Sequence, residues 1–319
     1  MLAVSIGNFD GVHRGHVALI RAARAESERC GCGHGRVVAV TFEPHPVALL
    51  RPDAAPPRLT GSAERRRLLL EAGADEVVEL QPTPQRLSLE PDAFIRHLRE
   101  RFPFGAIVEG DDFRFGRGRS GSIESLGTLG ASLGFTAREV PGVDVALADQ
   151  VVVRASSSLV RWLLQRGRVA DAARVLGRPY ELLSVSVRGD QRGRTIGVPT
   201  LNCGPLEQLL PMDGVYGGVA TLANGVQAIA AISVGTKPTF QREGSPPVRT
   251  CEAHLVDTTL PMDWYGVGMR LAFTTWIREQ RRFAALEGAD GLTARMRADI
   301  DAIRARARAS GALAVGSDA

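Results

Sequence analysis

With 319 residues, the chain is long enough for two domains of ordinary size, and 44% apolar with 23% charged residues is typical of a soluble globular protein. No run of about 18 apolar residues occurs, which excludes a membrane-spanning helix. The net charge of +4 is small and the basic residues are scattered, so the composition does not call for nucleic acid. The N-terminus enters a strand without a basic segment ahead of it, which argues against a signal peptide, and we expect a cytoplasmic protein.

The lysine and cysteine contents limit the kinds of phosphate and metal site that the chain can contain. Of the 39 basic residues only Lys237 is a lysine, and the Gly-Lys-Ser/Thr of a Walker A loop is missing, so ATP chemistry would need another phosphate-binding element. The four cysteines are dispersed, as expected for reduced thiols. Cys30, Cys32 and His34 suggest zinc, but a fourth ligand at suitable spacing is missing and the intervening glycines favour a turn.

The first elements enclose a candidate phosphate site, SIGNFDGVHRGH at residues 5–16. The run 2–6 predicts a buried parallel strand and the apolar spacing of 17–25 predicts a helix, with a glycine-containing loop between them. Unpaired N–H groups at a helix N-terminus suit a phosphate, and His13 and His16 add donors. For so short a motif the alternative, two ordinary polar loop residues, stays open.

Strands and helices then alternate, which predicts a doubly wound parallel sheet. Strands are expected at 36–42, 74–80, 106–109 and 134–140, and helices at 64–72, 91–102 and 155–165. The charged run ERRR at 64–67 is expected on the outer, solvated face of its helix, without a function. His45 follows the second strand in a proline-fixed loop, where it is a ligand candidate or a solvated loop residue.

A glycine-rich segment, GDDFRFGRGRSG, follows the fourth strand at 110–121. It contains a literal GxGxxG, with Glu139 at about the distance of a ribose contact, so a dinucleotide-dependent oxidoreductase is an alternative. The first glycine of that fingerprint should follow the strand directly, whereas residues 111–115 intervene here. Phe113 and Phe115 are candidates either for a ligand pocket or for simple core packing.

The helix at 155–165 begins with three serines, Ser156, Ser157 and Ser158, followed by Arg161 one turn later. One serine suffices to cap a helix. Several hydroxyls with a guanidinium at a helix start would also bind phosphate.

From Tyr180 the pattern changes to alternating residues at 182–188 and strands at 215–222, 226–234 and 250–256, which predict a small β-barrel or sandwich. An amphipathic helix closes it, with Leu292, Met296, Ile300 and Ile303 on one face. In the segment GRTIGVPTLN at 193–202, Thr200 and Asn202 alternate onto one side and offer oxygen ligands suited to Mg²⁺, although a tight turn alone would explain the segment.

The string GNFDGVHRGH, followed by VTFEPHP, resembles the adenylyltransferase half of the bifunctional riboflavin kinase/FMN adenylyltransferases, the prokaryotic FAD synthetases. The resemblance implies that His13 and His16 bind ATP phosphates and stabilise charge on the α-phosphate as pyrophosphate leaves. Arg161 and the serines match the motif SSTxxR, with Ser158 in place of threonine. The implied ATP-binding residues of this half are Gly7, Asn8, Phe9, Asp10, Gly15, Ser157 and Ser158, and the implied flavin-binding residues are His45, Asp112, Phe113 and Phe115.

In the second half, GRTIGVPTLN resembles the kinase signature GRxxGxPTxN, and the resemblance continues to about residue 304. It implies that Gly197, Thr200 and Asn202 bind ATP, with Thr200 and Asn202 holding Mg²⁺, and that Arg278 binds flavin. Glu252 is the candidate base for the flavin 5′-hydroxyl, unless it is an exposed strand residue paired with an arginine. His254 is interpreted as structural, and the sequence departs from the family at Ser184, Ser233 and Val234.

The resemblance implies an α/β protein: a Rossmann-like nucleotidylyltransferase domain at 1–180, an antiparallel β-barrel riboflavin kinase domain with a C-terminal helix at 181–309, and a disordered tail at 310–319. Riboflavin, FMN, FAD and ATP would be substrates and products, with Mg²⁺ and no nucleic acid or membrane partner. Self-association is expected to be weak if it occurs, and the resemblance leaves an upstream segment open. The alternatives are an enzyme with only the adenylyl transfer intact or acting on a flavin analogue, and a non-catalytic flavin- or nucleotide-binding regulator.

Overall fold

A computed structural model describes residues 1–29, 35–189, 198–236, 249–258, 265–281, 288 and 291–309. The candidate zinc residues, Gly197 and the predicted tail lie outside the described residues. The chain forms two compact units, Met1–Ser158 and Leu159–Ala319. This division differs from the expected domain boundary after residue 180, which stays a prediction.

The described part of the first unit contains nine strands, of which five form one parallel sheet. They are β1 (Leu2–Ile6), β2 (Arg36–Phe42), β3 (Glu76–Leu80), β4 (Ala106–Gly110), β5 (Arg114–Phe115), β6 (Gly121–Ser122), β7 (Thr136–Val140), β8 (Asp144–Ala146) and β9 (Val152–Arg154). The sheet order is β3-β2-β1-β4-β7, while β5-β6 and β8-β9 are separate antiparallel pairs. The predicted parallel sheet is confirmed.

Helices cover this sheet. They are α1 (Arg14–Glu28), α2 (Pro46–Leu50), α3 (Ser62–Glu71), α4 (Pro84–Leu87), α5 (Pro91–Arg101) and α6 (Ile123–Leu133), and α7 (Ser157–Leu164) begins at the end of the unit. Successive residues of β1 enter different cores: Ala3 packs with Ile20 and Leu69, and Val4 packs with Phe94 and Ile107. Both faces of β1 are therefore buried, and its residues are apolar except for the buried Ser5, as is typical of parallel sheets covered on both faces.

One expectation about the first unit is wrong, and the dinucleotide alternative finds no support. In the charged run 64–67, Glu64 and Arg65 are 6% and 5% exposed, so half of that run is buried rather than solvated. The GxGxxG segment forms the β5–β6 pair with a 3₁₀ turn at Arg117–Arg119, in which Gly116 and Gly118 have φ of 72° and 62°. It does not pass directly from a strand into a helix, as a dinucleotide fingerprint requires.

The second unit is a closed antiparallel barrel in the order β10-β11-β14-β13-β12-β15. Its strands are β10 (Tyr180–Val187), β11 (Leu201–Cys203), β12 (Gly214–Leu222), β13 (Gln227–Thr236), β14 (Arg249–Leu255) and β15 (Gly268–Glu279), with helices α8 (Val169–Leu176) and α9 (Leu292–Ala309). The predicted barrel and closing helix are confirmed. Among the described residues, no helix combines the length and apolar character needed to cross a membrane.

A buried ion pair fixes α9 to the barrel. Arg278 on β15 approaches Asp299 on α9 with Nη2 2.6 Å from Oδ2, and the two side chains are only 12% and 6% exposed. Nε of Arg278 donates to both carboxylate oxygens, at 3.0 and 2.9 Å, and Nη1 donates to the Glu279 carbonyl at 2.9 Å. Each of the three guanidinium nitrogens therefore donates to a group within the unit.

Replacing Arg278 with methionine should destabilise the chain by about 3 kcal/mol, because it leaves a buried carboxylate with only the more distant Arg295, 3.4 Å away. Urea unfolding followed by circular dichroism measures this. The control is Arg96→Met, which removes an exposed pair with Asp92 and should cost no more than about 0.5 kcal/mol. Equal unfolding midpoints for the two variants would show that the buried pair contributes nothing.

Candidate active sites

The first candidate site lies where β1 and β4 separate at the carboxyl edge of the parallel sheet. Pairing of β1 with β2 continues to Ile6, and the next residue, Gly7, still donates to the Val40 carbonyl at 2.9 Å. Pairing of β1 with β4 ends earlier, at Val4 and Ile107. From β1 the chain continues to β2 and β3 on one side, and it later returns to β4 on the other side. Open α/β sheets bind ligands at such a point, where the strand order reverses.

A buried carboxylate fixes the loop from β1 to α1. Asp10 accepts hydrogen bonds from the backbone N–H groups of Leu59, at 3.1 Å, and Thr60, at 3.0 Å. Gly11 donates to the Thr60 hydroxyl at 3.1 Å, and the Asp10 carbonyl accepts from the Ser157 hydroxyl at 2.7 Å. Asp10 and Ser157, both predicted to bind ATP, thus hold the loop through these atoms.

The loop backbone is strained where it turns. Phe9 and Val12 have φ of 47° and 39°, in a region that bulky and branched residues rarely adopt, yet both side chains are 1% exposed within the core. A Cβ on Gly7 would lie 3.2 Å from the Phe9 ring. Core packing and the Asp10 hydrogen bonds together offset the cost of this conformation.

The two histidines stack at the start of α1. Their ring centroids are 3.6 Å apart at an interplanar angle of 24°, and the Phe9 ring meets His16 edge-on at 5.2 Å. His13 is the N-cap, and its Nδ1 accepts from the Gly15 N–H at 3.1 Å, so the neutral ring carries its proton on Nε2. A Cβ on Gly15 would lie 3.0 Å from the His13 ring, which explains the glycine between the histidines.

The four residues of this site predicted to bind flavin differ in their burial and in their contacts. Phe115 is 5% exposed and packs on Phe94, with ring centroids 6.4 Å apart, so it belongs to the core. Phe113 stacks on Phe115 at 5.3 Å and is only partly buried, and Asp112 is exposed. His45 caps α2 by accepting from the Val47 N–H at 3.1 Å. The flavin contacts of these residues stay predictions.

Arg65 reaches the same loop from α3. Its Nη2 lies 2.8 Å from Glu43, which also pairs with Arg58, and its Nη1 approaches the Asn8 carbonyl at 3.5 Å. Asn8 also accepts from the Thr41 hydroxyl at 3.2 Å. Sequence reasoning missed Arg65 because helical periodicity cannot show that a cation of a charged run turns toward a loop.

Glu109 is a second residue that sequence reasoning missed. It ends the apolar run of β4, is 2% exposed, and its carboxyl accepts from the Ile6 N–H, bridging the gap where pairing of β1 with β4 has ended. Burial raises its pKa well above the ordinary range, opposed by the hydrogen bond from Ile6 and by the nearby Ser5 hydroxyl, and reinforced by the charge of Asp112. A glutamate closing a buried strand was the signal available in the sequence.

The second candidate site is a polar row across the barrel. Register places Asn202 of β11 and Ser233 of β13 on either side of Glu252 of β14, and the Thr200 hydroxyl lies 3.4 Å from a Glu252 carboxylate oxygen. His254 approaches the Pro199 carbonyl at 2.8 Å through Nδ1, which fits its structural interpretation. Hydroxyl, amide and carboxylate oxygens suit Mg²⁺, so the described residues fit the predicted metal.

The adjacent row carries two thiols. Because Asn202 pairs with Glu252, the antiparallel register sets Cys203 opposite Cys251. Both are free, Cys203 partly exposed and Cys251 1% exposed. A hydrogen bond between the thiols, followed by burial, raises the pKa of Cys251 well above its usual range. Arg278, in contrast, is held by Asp299, and this geometry gives its predicted flavin contact no support.

A Rossmann-like unit with stacked histidines at a helix N-terminus, joined to a barrel with a hydroxyl–carboxylate pair, defines a transferase class that handles phosphates in two places. The family models that match are FAD synthetase, over residues 1–154, and riboflavin kinase, over residues 176–307. The chain belongs to the bifunctional riboflavin kinase/FMN adenylyltransferase family.

Its relatives include the bifunctional riboflavin kinase/FMN adenylyltransferase of Escherichia coli strain K12, 36% identical over 92% of this chain and 91% of that protein. The enzyme of the same name from Bacillus subtilis strain 168 is 31% identical over 89% and 86%. A crystal structure from Streptococcus pneumoniae, titled a macrolide-efflux protein, matches with a TM-score of 0.81 and 27% identity over 95% and 93% of the chains.

Glu109→Gln should become progressively more stable than the parent chain as the pH is raised from about 5 to about 8. The folded chain keeps the Glu109 proton where the unfolded chain has lost it, so the parent loses stability with rising pH until the raised pKa is passed, by up to about 1.4 kcal/mol per pH unit. Glutamine still accepts from Ile6 but cannot ionise. Urea unfolding at each pH measures the difference.

The matched control is Glu139→Gln, because Glu139 pairs in register with Glu109 on β7 but is exposed. Because Glu139 is exposed, the stability difference between Glu139→Gln and the parent at each pH is the baseline against which that of Glu109→Gln is compared. A difference for Glu109→Gln that follows this baseline would show that Glu109 is already ionised in the folded chain.

Proposed function

We propose that this chain carries out the two reactions of its family at two separate sites. The polar row of the barrel phosphorylates riboflavin with ATP, giving FMN and ADP, and the β1–α1 loop transfers AMP from ATP to FMN, giving FAD and pyrophosphate. The observation that supports the proposal is that each unit has its own cluster of polar groups: His13 and His16 stacked at a helix N-terminus, and Thr200 beside Glu252.

In adenylyl transfer, a phosphate oxygen of FMN attacks the α-phosphorus of ATP in line with the departing pyrophosphate. No group of the protein needs to form a bond. His13 presents its Nε2 proton, since Nδ1 is occupied by the Gly15 N–H, and His16 lies stacked beside it. These donors, with Arg161 and Ser158, stabilise the charge that develops on the phosphate oxygens.

In phosphorylation, the flavin 5′-hydroxyl must lose its proton as the γ-phosphoryl group moves. Glu252 is half-buried, with one carboxylate oxygen near the Thr200 hydroxyl, and it accepts that proton. Asn202, directly across the strand pair from Glu252, and Gly197 contact ATP. Thr200 and Asn202 would hold Mg²⁺, which neutralises phosphate charge when it is bound.

The proposal includes the setting of the enzyme. Its partners are small molecules, with neither nucleic acid nor membrane, and it acts in the cytoplasm as a monomer or weak homo-oligomer. The small net charge and the free thiols of the barrel support this. Sedimentation velocity over a range of protein concentrations tests the oligomeric state, and a stable, concentration-independent oligomer would contradict this part of the proposal.

Purified protein incubated with riboflavin, Mg²⁺ and ATP should give FMN and then FAD, resolved by chromatography. FAD formed from added FMN, without FMN formed from riboflavin, would confine the activity to the first unit. Turnover of a flavin analogue alone would change the substrate. Binding without turnover of either flavin would favour a regulator.

His16→Ala should lower the rate of FAD formation from FMN by about 100- to 1,000-fold, mainly in kcat, because the lost donor acts on charge that develops in the transition state. FMN formation from riboflavin should be unchanged. The control is His97→Ala, which removes an exposed histidine of α5. Equal loss of both activities in His16→Ala would contradict the assignment of two sites.

Glu252→Gln should give the opposite result, lowering FMN formation by about 100- to 10,000-fold while FAD formation from FMN continues. Glutamine keeps the shape of the side chain and an acceptor for Thr200 but cannot take a proton at neutral pH. Glu207→Gln, at an exposed position of the same unit, is the control. An unchanged kinase rate would remove Glu252 from the mechanism.

A further inference from the structure

The barrel contains a pair of cysteines that neither proposed reaction uses. Cys203 and Cys251 occupy facing positions on β11 and β14, in the row next to Asn202 and Glu252. Their side chains are near enough for the Cys203 thiol to raise the pKa of Cys251. Facing residues of an antiparallel pair have Cα atoms about 4.5–5.5 Å apart and side chains on one face, within the range of about 4.4–6.8 Å that a disulfide spans.

The two thiols differ in access. Cys251 is 1% exposed, whereas Cys203 is partly exposed, so an oxidant in solution reaches Cys203 first. A sulfur oxidised at Cys203 then has the second thiol at the facing position of the next strand. The pair thus combines an accessible sulfur with a neighbouring thiol placed to resolve it, which are two of the features of redox-active cysteines.

We propose that Cys203 and Cys251 form a reversible oxidation site, at which a hydroperoxide produces a cross-strand disulfide that slows riboflavin phosphorylation. The neighbouring rows of these strands share their spacing and twist, so fixing Cys203 to Cys251 changes the separation of Asn202 from Glu252. Misplacement of a reacting group by about 1 Å costs up to about 100-fold in rate. The disulfide therefore affects the kinase site directly.

The reaction balances with one hydroperoxide per pair. The Cys203 sulfur attacks a peroxide oxygen, the O–O bond breaks, and the departing oxygen takes the thiol proton, leaving a sulfenic acid. The Cys251 sulfur then attacks the Cys203 sulfur, the S–O bond breaks, and the Cys251 proton leaves with the hydroxide as water. The two thiols lose two electrons in total, and the peroxide gains them.

The test uses the full chain with Cys30 and Cys32 replaced by serine, which leaves Cys203 and Cys251 as its thiols. The protein is treated with one equivalent of hydrogen peroxide, free thiols are blocked, and peptides are identified by mass spectrometry. A peptide pair joined through Cys203 and Cys251 is expected. FMN formation should fall about 10- to 100-fold, FAD formation from FMN should persist, and dithiothreitol should restore the kinase.

Cys203→Ser in the same background should keep its kinase activity after peroxide treatment, and Cys251→Ala should behave alike if its core tolerates the smaller residue. The proposal is overturned by a Cys203 that stops at sulfenic or sulfinic acid without a bridge, by a bridge that leaves FMN formation unchanged, or by equal peroxide sensitivity in Cys203→Ser.

Discussion

The candidate site at the β1–α1 loop depends on the buried carboxylate of Asp10. Its side-chain oxygens accept hydrogen bonds from the backbone N–H groups of Leu59 and Thr60, and its backbone carbonyl accepts one from the Ser157 hydroxyl. Three separate stretches of chain therefore meet at Asp10. Backbone in the left-handed region at Phe9 and Val12 costs about 1–3 kcal/mol each. The hydrogen bonds of Asp10 and the burial of both side chains offset that cost, and His13 is consequently placed at the N-cap of α1.

The barrel site depends instead on strand register. One alignment of β11 with β14 sets Asn202 against Glu252 and, one row further, Cys203 against Cys251. A slip of one residue would exchange the polar row with the thiol row, since successive side chains face opposite sides of a sheet. The same register places Ser233, where the sequence departs from its family, directly beside Glu252, so that departure adjoins the proposed base. Val234, the other departure on β13, is 0% exposed in the core.

Local patterns in the sequence predicted the strands and the helix start, because these depend on residues that are close together along the chain. The apolar run at 2–6 and the alternation of β13 gave correct strands, and His13 was rightly associated with a helix start, although α1 begins earlier than the apolar spacing indicated. The patterns could not predict contacts between residues that are far apart along the chain. Ser157 contacts a residue 147 positions away, and the cysteine pair requires the barrel register, which spacing along the chain does not contain.

Two buried carboxyl groups near the β1–α1 loop have different surroundings and therefore different consequences. The Asp10 carboxylate accepts hydrogen bonds from the backbone N–H groups of Leu59 and Thr60 and from the Thr60 hydroxyl, all on another stretch of chain. Glu109 receives the Ile6 N–H in a fully desolvated position, with its pKa raised and the charge of Asp112 acting on it. Desolvation disfavours the charged form of Glu109, so this carboxyl adds less negative charge where β1 and β4 separate than an exposed glutamate would. A polyanion held at the proposed histidine site therefore meets less repulsion from Glu109 than it would from an ionised carboxylate.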